Sequence, residues 1–346
     1  MKLTTAQLTN GLTPAHDLVF DSRPTDPQMR ESTSVWISDA AGEVTFPRFG
    51  IEAEAHDWDH PLCTGNVCFA SGRVLSVASK QPKHPPFGPD GRPTVLGAGP
   101  LSFQCIEPFR RWNVRYDGTI AEGQVSQLIA ATFDYSHQVP FGFEFELELV
   151  TPAWVMDNTP DKVARMTPED RAEAEYMGIG WRCEHCFQVR GRYQLDGQWR
   201  DFTGTGLRVK RQSVRPLAGF RGHVWQSALF ADGRAFGYIA YPPRASDGRA
   251  YNDAYLYQDG RMYKGHATQI PWLRRIIPNG DDVSFEIETA LGRTRIAGRT
   301  ISSYFYRNQP QMLLDLQQAG VQYEWDGQRT YGMLERSSSP DLTTVG

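Results

Sequence analysis

The chain has 346 residues, a length that suits two domains. Hydrophobic residues make up 40% and charged residues 22%, which is typical of a globular protein. The formal net charge of −4 gives no basis for binding nucleic acid or an anionic membrane surface. We see no secretory leader and no apolar run of bilayer length, so we expect a cytoplasmic protein without membrane insertion. In that compartment its five cysteines need no disulfides.

Turn signals are the strongest pattern along the chain. Asn-Gly begins at positions 10 and 279, and Asp-Gly begins at positions 90, 117, 196, 232, 247, 259 and 326. Both dipeptides favour the positive φ angles of type I′ hairpin turns. Short runs rich in aromatic or β-branched residues occur between them, at 143–150, 187–195, 235–241 and 283–290. We therefore predict an all-β chain of antiparallel strands.

Two segments predict helices. Residues 167–177 begin with Thr167 as the N-cap and Pro168 at the first helical position. Residues 309–320 place four apolar side chains on one face and end at Gly320. The first helix lies near the middle of the chain and marks a boundary. We predict an N-terminal domain at 1–158, a helical linker at 159–178 and a C-terminal domain at 179–346.

The segment WRCEHCFQVRGRY (181–193) contains a C-x-x-C motif, which raises the question of a metal site. Metal knuckles place this motif in a tight turn and need a second pair of ligands. Here the surrounding run predicts a strand, in which Cys183 shares a face with His185, and Cys186 shares the other face with Glu184. A redox pair would need a following helix. We therefore predict a strand without a metal, whose interest lies in Glu184 and His185.

Ionisable residues within aromatic strands are the candidates for chemistry, because a barrel cavity usually holds an apolar ligand fixed by a few polar groups. The candidates are Glu184, His185, His223, Tyr304 and Tyr306. His223 shares a strand face with Trp225 if that run is extended. For every one of these residues, packing or a structural hydrogen bond is the more common role.

Two polar stretches have alternative interpretations. HDWDHP (56–61) ends in proline, so we predict a loop, which could cap a barrel mouth. The basic stretch LRVKRQSVR (207–215) could hold an anionic head group, although a solvated strand face is the favoured interpretation.

The sequence has no Walker loop, G-x-S-x-G motif or H-E-x-x-H motif. We therefore expect no nucleotide, metal or other cofactor.

Five segments together point to a known family. They are EPFRRWNVRYDG (107–118), CEHCFQVRGRY (183–193), GTGLRVKRQSVR (204–215), HVWQSALFADGRAFGY (223–238) and QAGVQYEWDGQRTYGMLER (318–336). In order and spacing they resemble bacterial proteins of the carotenoid 1,2-hydratase and AttH-like group. This resemblance implies two tandem lipocalin-like antiparallel β-barrels with a few short helices. It also implies a hydrophobic ligand, since the group includes hydratases of carotenoids and of the isoflavonoid kievitone.

The chain departs from that group in two places. Many relatives carry an Arg-Asp-His-Ser-Trp-Gly run at 208–213, where Val209 and Lys210 replace the acid and the histidine. Relatives often have Glu-Gln where this chain has Glu184 and His185. Loss of the acid–histidine pair favours a binding protein, whereas the added His185 favours an enzyme.

The first hypothesis is a cofactor-independent acid–base enzyme that acts on a hydrophobic secondary metabolite such as a terpenoid, steroid or polyketide. The reaction would be hydration, dehydration, isomerisation or cyclisation. Glu184 or His185 would transfer the proton, while His223 and Tyr304 would orient the substrate or relay a proton. The substrate-binding residues would be Trp112, Trp181, Trp225, Tyr306 and Arg208. The tryptophan faces could stabilise a developing cation.

The second hypothesis is a lipocalin-like carrier of a hydrophobic small molecule, without catalysis. A carrier returns its ligand unchanged, so the two hypotheses are distinguished by the fate of the ligand. The sequence gives no prediction of the oligomeric state.

Overall fold

The computed structural model describes residues 3–217, 219–245, 247–248, 250–309 and 312–346, with the backbone alone at Asp157. The α-helices are short and comprise α1 (Thr5–Thr9), α2 (Val125–Ile129), α3 (Pro160–Val163) and α4 (Pro168–Met177). Short 3₁₀ turns occur at Pro14–Asp17, Ala55–Asp57 and Pro340–Leu342. No helix in the described part of the chain has the length and apolarity that spanning a bilayer requires.

The chain is mostly β, as predicted. The strands of the first half are β1 (Met29–Asp39), β2 (Val44–Glu54), β3 (Leu62–Phe69), β4 (Arg73–Lys80), β5 (Val95–Ala98), β6 (Leu101–Glu107), β7 (Arg111–Gln124), β8 (Gln138–Leu149), β9 (Trp154–Asn158), β10 (Ile179–Leu195) and β11 (Gln198–Val214). Antiparallel pairing runs β4-β3-β2-β1-β11-β10-β8-β7, and a further pairing of β4 with β7 closes this ring. This is the first barrel, from which β6 and β5 extend and on which β9 pairs with β10.

A second closed barrel follows. Its strands are β12 (His223–Leu229), β13 (Ala235–Ala240), β14 (Asn252–Gln258), β15 (Arg261–Thr268), β17 (Phe285–Thr289), β18 (Gly292–Gln309), β19 (Leu314–Trp325) and β20 (Gln328–Ser338). The short strands β16 (Arg275–Ile276) and β21 (Thr344–Val345) pair in parallel outside it. The tandem-barrel architecture expected from the family resemblance is therefore confirmed.

Aromatic side chains fill much of the first barrel. The ring of Phe46 lies 5.5 Å from that of Phe143 and 5.2 Å from that of Phe145, both edge to face. Phe143 and Phe145 belong to the alternating run at 143–150, whose inward side chains are buried as the alternation predicts. Edge-to-face rings pack densely, so this part of the barrel is a core.

Turn chemistry explains several of the hairpins. Asp196, Asp259 and Asp326 have φ angles of 53°, 54° and 48°, and the glycine after each also has a positive φ. These pairs join β10 to β11, β14 to β15 and β19 to β20, as predicted for type I′ turns. The Asp-Gly pair at 117 instead lies within β7, where pairing with β8 holds the backbone extended.

The strand pairing does not follow the predicted domain division, in which the N-terminal domain ends at residue 158 and the C-terminal domain begins at residue 179. Strands β10 and β11 belong to the first barrel, because β11 pairs with β1 from Met29 against Val214 to Asp39 against Gly204. β10 in turn pairs with β8 and β9. Without these two strands, the edges of β1 and β8 would lack partners.

The helix predicted at 167–177 is confirmed as α4, with the side chain of Thr167 capping the backbone N–H of Asp170. The helix predicted at 309–320 is wrong, since Leu314–Trp325 forms β19. Residues 310 and 311 of that segment lie outside the described residues. Gln317 and Gln318 are buried and hydrogen-bonded, so β19 lacks the usual alternation of apolar and polar residues, and its pairing with β18 and β20 overrides the helical pattern.

Candidate functional site

The main candidate site is a cavity of about 370 Å³ between the two barrels. The first barrel contributes the outward-facing side chains of β1, β2, β3, β4, β10 and β11, and the second contributes those of β12, β18, β19 and β20. The apolar lining consists of Trp36, Leu62, Ala78, Val209, Leu217, Phe220, Trp225, Met312 and Leu316. The ionisable lining consists of Arg30, Arg48, Glu52, Arg182, Arg211, Arg215, His223 and Glu335. Such a cavity suits a small molecule with an apolar body and polar groups.

An outer cavity of about 400 Å³ adjoins it. The two share Arg30, Glu52, Leu62, Arg215 and Leu217, while the outer one adds Glu54, Asp57, His60 and Lys80. Asp57 and His60 belong to the predicted loop at 56–61, which lies beside this mouth. A ligand can therefore enter from solvent along a polar rim and reach the apolar walls inside.

Strand alternation decides which side chains reach the inner cavity. On β11, Val209 and Arg211 face it, whereas Arg208 and Lys210 point into the first barrel. On β12, His223 and Trp225 face the cavity. The rings of Trp225 and Trp36 lie 4.6 Å apart, edge to face, and bridge the two barrels.

His223 and Glu335 form a hydrogen-bonded pair of ionisable side chains in the wall of this cavity. The imidazole Nε2 lies 3.2 Å from Glu335 Oε1, and Nδ1 lies 2.8 Å from Ser337 Oγ. Burial works to raise the pKa of Glu335, but the hydrogen bond and charge of His223, together with Arg48, lower it below its usual range. Because the ionised carboxylate only accepts, Nε2–H donates to it. Ser337 does not line the cavity, so its hydroxyl orients the ring.

A hydrogen-bond network extends from Glu335 across the barrel contact. Gln318 Nε2 donates to Glu335 Oε2 at 2.6 Å, and Gln318 Oε1 accepts from Asn66 Nδ2 at 2.8 Å. Asn66 Oδ1 accepts from Ser76 Oγ at 3.0 Å, and that oxygen lies 2.8 Å from the Tyr304 hydroxyl. The bonds all point towards the carboxylate, and such ordered chains strengthen one another.

Tyr306 joins the same network from the cavity wall. Its hydroxyl oxygen accepts from Asn66 Nδ2 at 3.2 Å, which leaves its own hydrogen free for a ligand. Burial raises the pKa of Tyr306, so the group is a neutral donor. Tyr304 lies outside the cavity lining, with its ring 4.7 Å from that of Tyr306. The network thus brings together three residues selected from the sequence, namely His223, Tyr304 and Tyr306.

Glu184 lies beside this cavity, behind the lining residues Arg182 and Trp225. Its carboxylate accepts from Trp225 Nε1 at 3.2 Å and forms an ion pair with Arg182. Burial raises the pKa of Glu184 despite the opposing effect of the Arg182 charge. Glu184 and Cys186 share one face of β10, while Cys183 and His185 share the other, so the predicted strand geometry of the C-x-x-C segment is confirmed.

The remaining sequence candidates lie inside the first barrel. His185 Nε2–H donates to the backbone carbonyl of Leu8 at 3.2 Å. Burial, with repulsion from Arg208, lowers the pKa of His185 to about 3, so the ring is neutral. Trp112 lies 4.5 Å below the Arg208 guanidinium, and Trp181 donates to Gln212. The structure therefore separates His185, Trp112, Trp181 and Arg208 from the cavity that holds His223 and Trp225.

The basic stretch at 207–215 is not the solvated strand face that the sequence favours. Arg208 is fully buried and pairs with Asp17 at 2.6 Å, and Lys210 pairs with Glu31 at 3.1 Å. The partners come from distant parts of the chain, which explains why composition alone predicts exposure. Val209, which replaces the acid found in many relatives, lines the inter-barrel cavity.

Sequence reasoning missed Glu335, Gln318 and Asn66. Glu335 and Gln318 lie in the last segment quoted for the family resemblance, so a signal was present there. Asn66 lies between two small or β-branched neighbours in β3 and carries no signal of its own. Within the described residues, no three His, Cys, Asp or Glu side chains are grouped so as to hold a metal ion.

Solved structures with the same architecture are known. An AttH-like protein from Nitrosomonas europaea is 14% identical, with a TM-score of 0.57 over 92% of this chain and 98% of its own. Kievitone hydratase from Nectria haematococca is 9% identical, with a TM-score of 0.52 over 94% of this chain and 95% of its own. CghA, solved with Sch210972, is 10% identical, with a TM-score of 0.50 over 98% of both chains. The structural similarity over most of each chain establishes the fold and confirms the family resemblance at the level of the fold alone.

No curated protein sequence gives a significant match to the chain. The sequence model of one family, described as a domain of unknown function (DUF7064), matches residues 13–340, and the chain therefore belongs to that family.

Proposed function

We propose that this protein is an acid–base enzyme that binds a hydrophobic small molecule between its two barrels. The observation that carries the proposal is the His223–Glu335 pair in the wall of a largely buried cavity whose other walls include Trp36 and Trp225. A coupled histidine and carboxylate can accept a proton from a bound molecule and return it elsewhere. The Tyr306 hydroxyl supplies a neutral donor on the same wall.

The electrostatics of the cavity favour one type of intermediate. Among the described lining residues, five are arginines. Guanidinium groups stabilise negative charge that develops on a substrate oxygen and destabilise a nearby carbocation. Proton transfer next to a carbonyl group, with an enolate-like intermediate, therefore fits this site better than a cationic mechanism. Isomerisation, dehydration and cyclisation can all proceed through such an intermediate.

The substrate class that fits is a hydrophobic secondary metabolite such as a terpenoid, steroid or polyketide. The apolar walls and a volume of about 370 Å³ match a molecule of that size. Two proteins of the same fold are kievitone hydratase and CghA, which was solved with Sch210972, and they support small-molecule binding by this architecture. The proposed chemistry needs no cofactor, because the proton-transfer groups are side chains.

A lipocalin-like carrier is the second candidate. The observation that favours it is Val209, an apolar residue of the cavity wall at the position where many relatives have an acid. A carrier would use the same cavity and would leave its ligand unchanged.

The test is turnover in deuterated buffer. Purified protein is incubated with a panel of terpenoids, steroids and aromatic polyketides, and the products are read by mass spectrometry. Gain or loss of water, or deuterium on carbon, supports the enzyme. Ligands that bind and return without deuterium would support the carrier instead.

Glutamine variants then locate the base. We expect Glu335→Gln to lower turnover by roughly 10²–10⁴-fold while leaving binding intact, because the amide cannot accept the proton. The sequence-based alternative assigns this role to Glu184, so Glu184→Gln is measured beside it. Glu324→Gln, at an exposed hairpin, is the matched control. Full turnover in Glu335→Gln would remove that residue from the mechanism.

A further inference from the structure

The inter-barrel cavity contains more positive than negative charge. Its described lining includes Arg30, Arg48, Arg182, Arg211 and Arg215, but only Glu52 and Glu335 as carboxylates. Glu184, behind the wall, adds a third carboxylate. Charges removed from water are costly unless they are paired, so such an imbalance needs compensation.

Three of the guanidinium groups have carboxylate partners. Glu52 pairs with Arg30 at 3.1 Å and with Arg48 at 2.6 Å. Burial opposes ionisation of Glu52, but these arginines and Arg215 lower its pKa to about 2, so it remains an anion. Arg182 pairs with Glu184. These contacts hold the three guanidinium groups in place and satisfy part of their hydrogen-bonding capacity.

Arg211 and Arg215 differ from these three. Within the described part of the chain, neither has a carboxylate at ion-pair distance. Arg211 donates to the backbone carbonyl of Met177, and Arg215 donates to that of Tyr176 at 2.6 Å. Both carbonyls are at the carboxyl end of α4, where the helix dipole offsets only part of a unit charge.

Each guanidinium has five N–H donors, of which the backbone carbonyl takes one, and Arg215 makes a further side-chain hydrogen bond with Tyr241. Arg211 is buried and Arg215 is half-buried, and both line the inner cavity. Burial lowers the pKa of both groups, and the neighbouring arginines act in the same direction, while Tyr241 opposes them, so an anion beside these two guanidinium groups would stabilise their charged forms. The apolar walls next to them include Phe220 and Trp225.

We propose that the ligand of this cavity carries a carboxylate, which Arg211 and Arg215 bind while its hydrophobic body packs against Phe220, Trp225 and Trp36. This inference rests on the proposed use of the cavity as the binding site and specifies its substrate class as hydrophobic carboxylic acids. Planar carboxylates match the fork geometry of guanidinium groups. Arg215 also lines the outer cavity, so the anion meets a positive charge on entry.

The experiment compares acids with their methyl esters, which differ in charge but hardly in shape. The probes are dodecanoic acid, abietic acid and lithocholic acid, each with its methyl ester, and binding to the full chain is measured by calorimetry. At least one acid should bind roughly tenfold or more tighter than its ester, as expected for charge-assisted hydrogen bonds. If no acid in the panel binds, or if acids and esters bind equally, the inference is wrong.

Variants locate the anion site. Arg211→Met and Arg215→Met should each remove most of the preference for the acid while leaving ester binding unchanged. Arg329→Met is the control, since Arg329 is exposed and pairs with Glu324 at a hairpin. A preference that survives in both variants would overturn the assignment of these two residues.

The outcome is separable from that of the proposed reaction. Turnover of neutral substrates, together with equal binding of acid and ester, would leave the enzyme proposal standing and refute the carboxylate. Tight binding of an acid that returns unchanged would support the carboxylate and favour the carrier.

Discussion

Replacement of Asp17 by Asn tests how the N-terminal segment is held in the first barrel. The Asp17 carboxylate is completely buried and accepts from Phe109 N at 2.6 Å, Trp112 Nε1 at 2.9 Å and Arg208 Nη2 at 2.6 Å. Burial works to raise its pKa, but the Arg208 charge and the Phe109 N–H lower it. Asp17→Asn keeps the shape and removes the charge.

The expected loss is large because Arg208 would remain in the barrel without a counter-charge. Removing one partner of a buried ion pair reduces the free energy of unfolding by about 3–5 kcal/mol. The control is Asp196→Asn, since Asp196 pairs with Arg73 at 2.8 Å and its side chain is 57% exposed. Exposed pairs contribute at most about 1 kcal/mol.

The assay is urea unfolding followed by tryptophan fluorescence, with the free energy obtained by linear extrapolation. The double variant Asp17→Asn/Arg208→Met should recover much of the loss, because no unpaired charge is then buried. If Asp17→Asn costs no more than Asp196→Asn, the argument that this ion pair holds the segment is refuted.

Two further predictions concern stability. His185 has a pKa of about 3 in the folded state and about 6.5 in the unfolded state. Its contribution to the free energy of unfolding is therefore complete above pH 6.5 and is lost as the pH falls towards 3, by up to about 1.4 kcal/mol per pH unit. His185→Gln should therefore flatten the pH dependence of the unfolding free energy in that window, and an unchanged slope would contradict the assignment. Gly65→Ala would place a Cβ 2.2 Å from Phe49 Cε1, so it should reduce the free energy of unfolding by about 1–3 kcal/mol and lower Tm. An unchanged Tm would mean that Phe49 moves aside freely.

The local features of the fold were predictable because local chemistry determines them. Asp-Gly pairs at 196, 259 and 326 form hairpin turns, and Thr167 with Pro168 begins α4. The assignment of residues 179–214 to the first barrel was not predictable, since it depends on pairing between β11 and a strand about 170 residues earlier. Nothing in one sequence specifies such a partner.

Only part of the candidate site was predictable, and charge burial explains the rest. His223, Trp225 and Tyr306 stood out as polar or aromatic residues in strands, and all three line the cavity. Arg208 and Lys210 appeared solvated, because their partners, Asp17 and Glu31, lie nearly two hundred residues away. The excess of arginines at the cavity likewise emerges only when two barrels are brought together.

Closure of the first barrel by β10 and β11 has a consequence for biosynthesis. During translation β1 emerges early, but its partner is complete only when residue 214 has been made. Until then β1 presents an unpaired edge, and such edges recruit other chains. A nascent chain interrupted in the linker would therefore be prone to aggregate, and a gene split there would separate a barrel from two of its own strands. The first barrel should consequently fold late, together with the beginning of the second half.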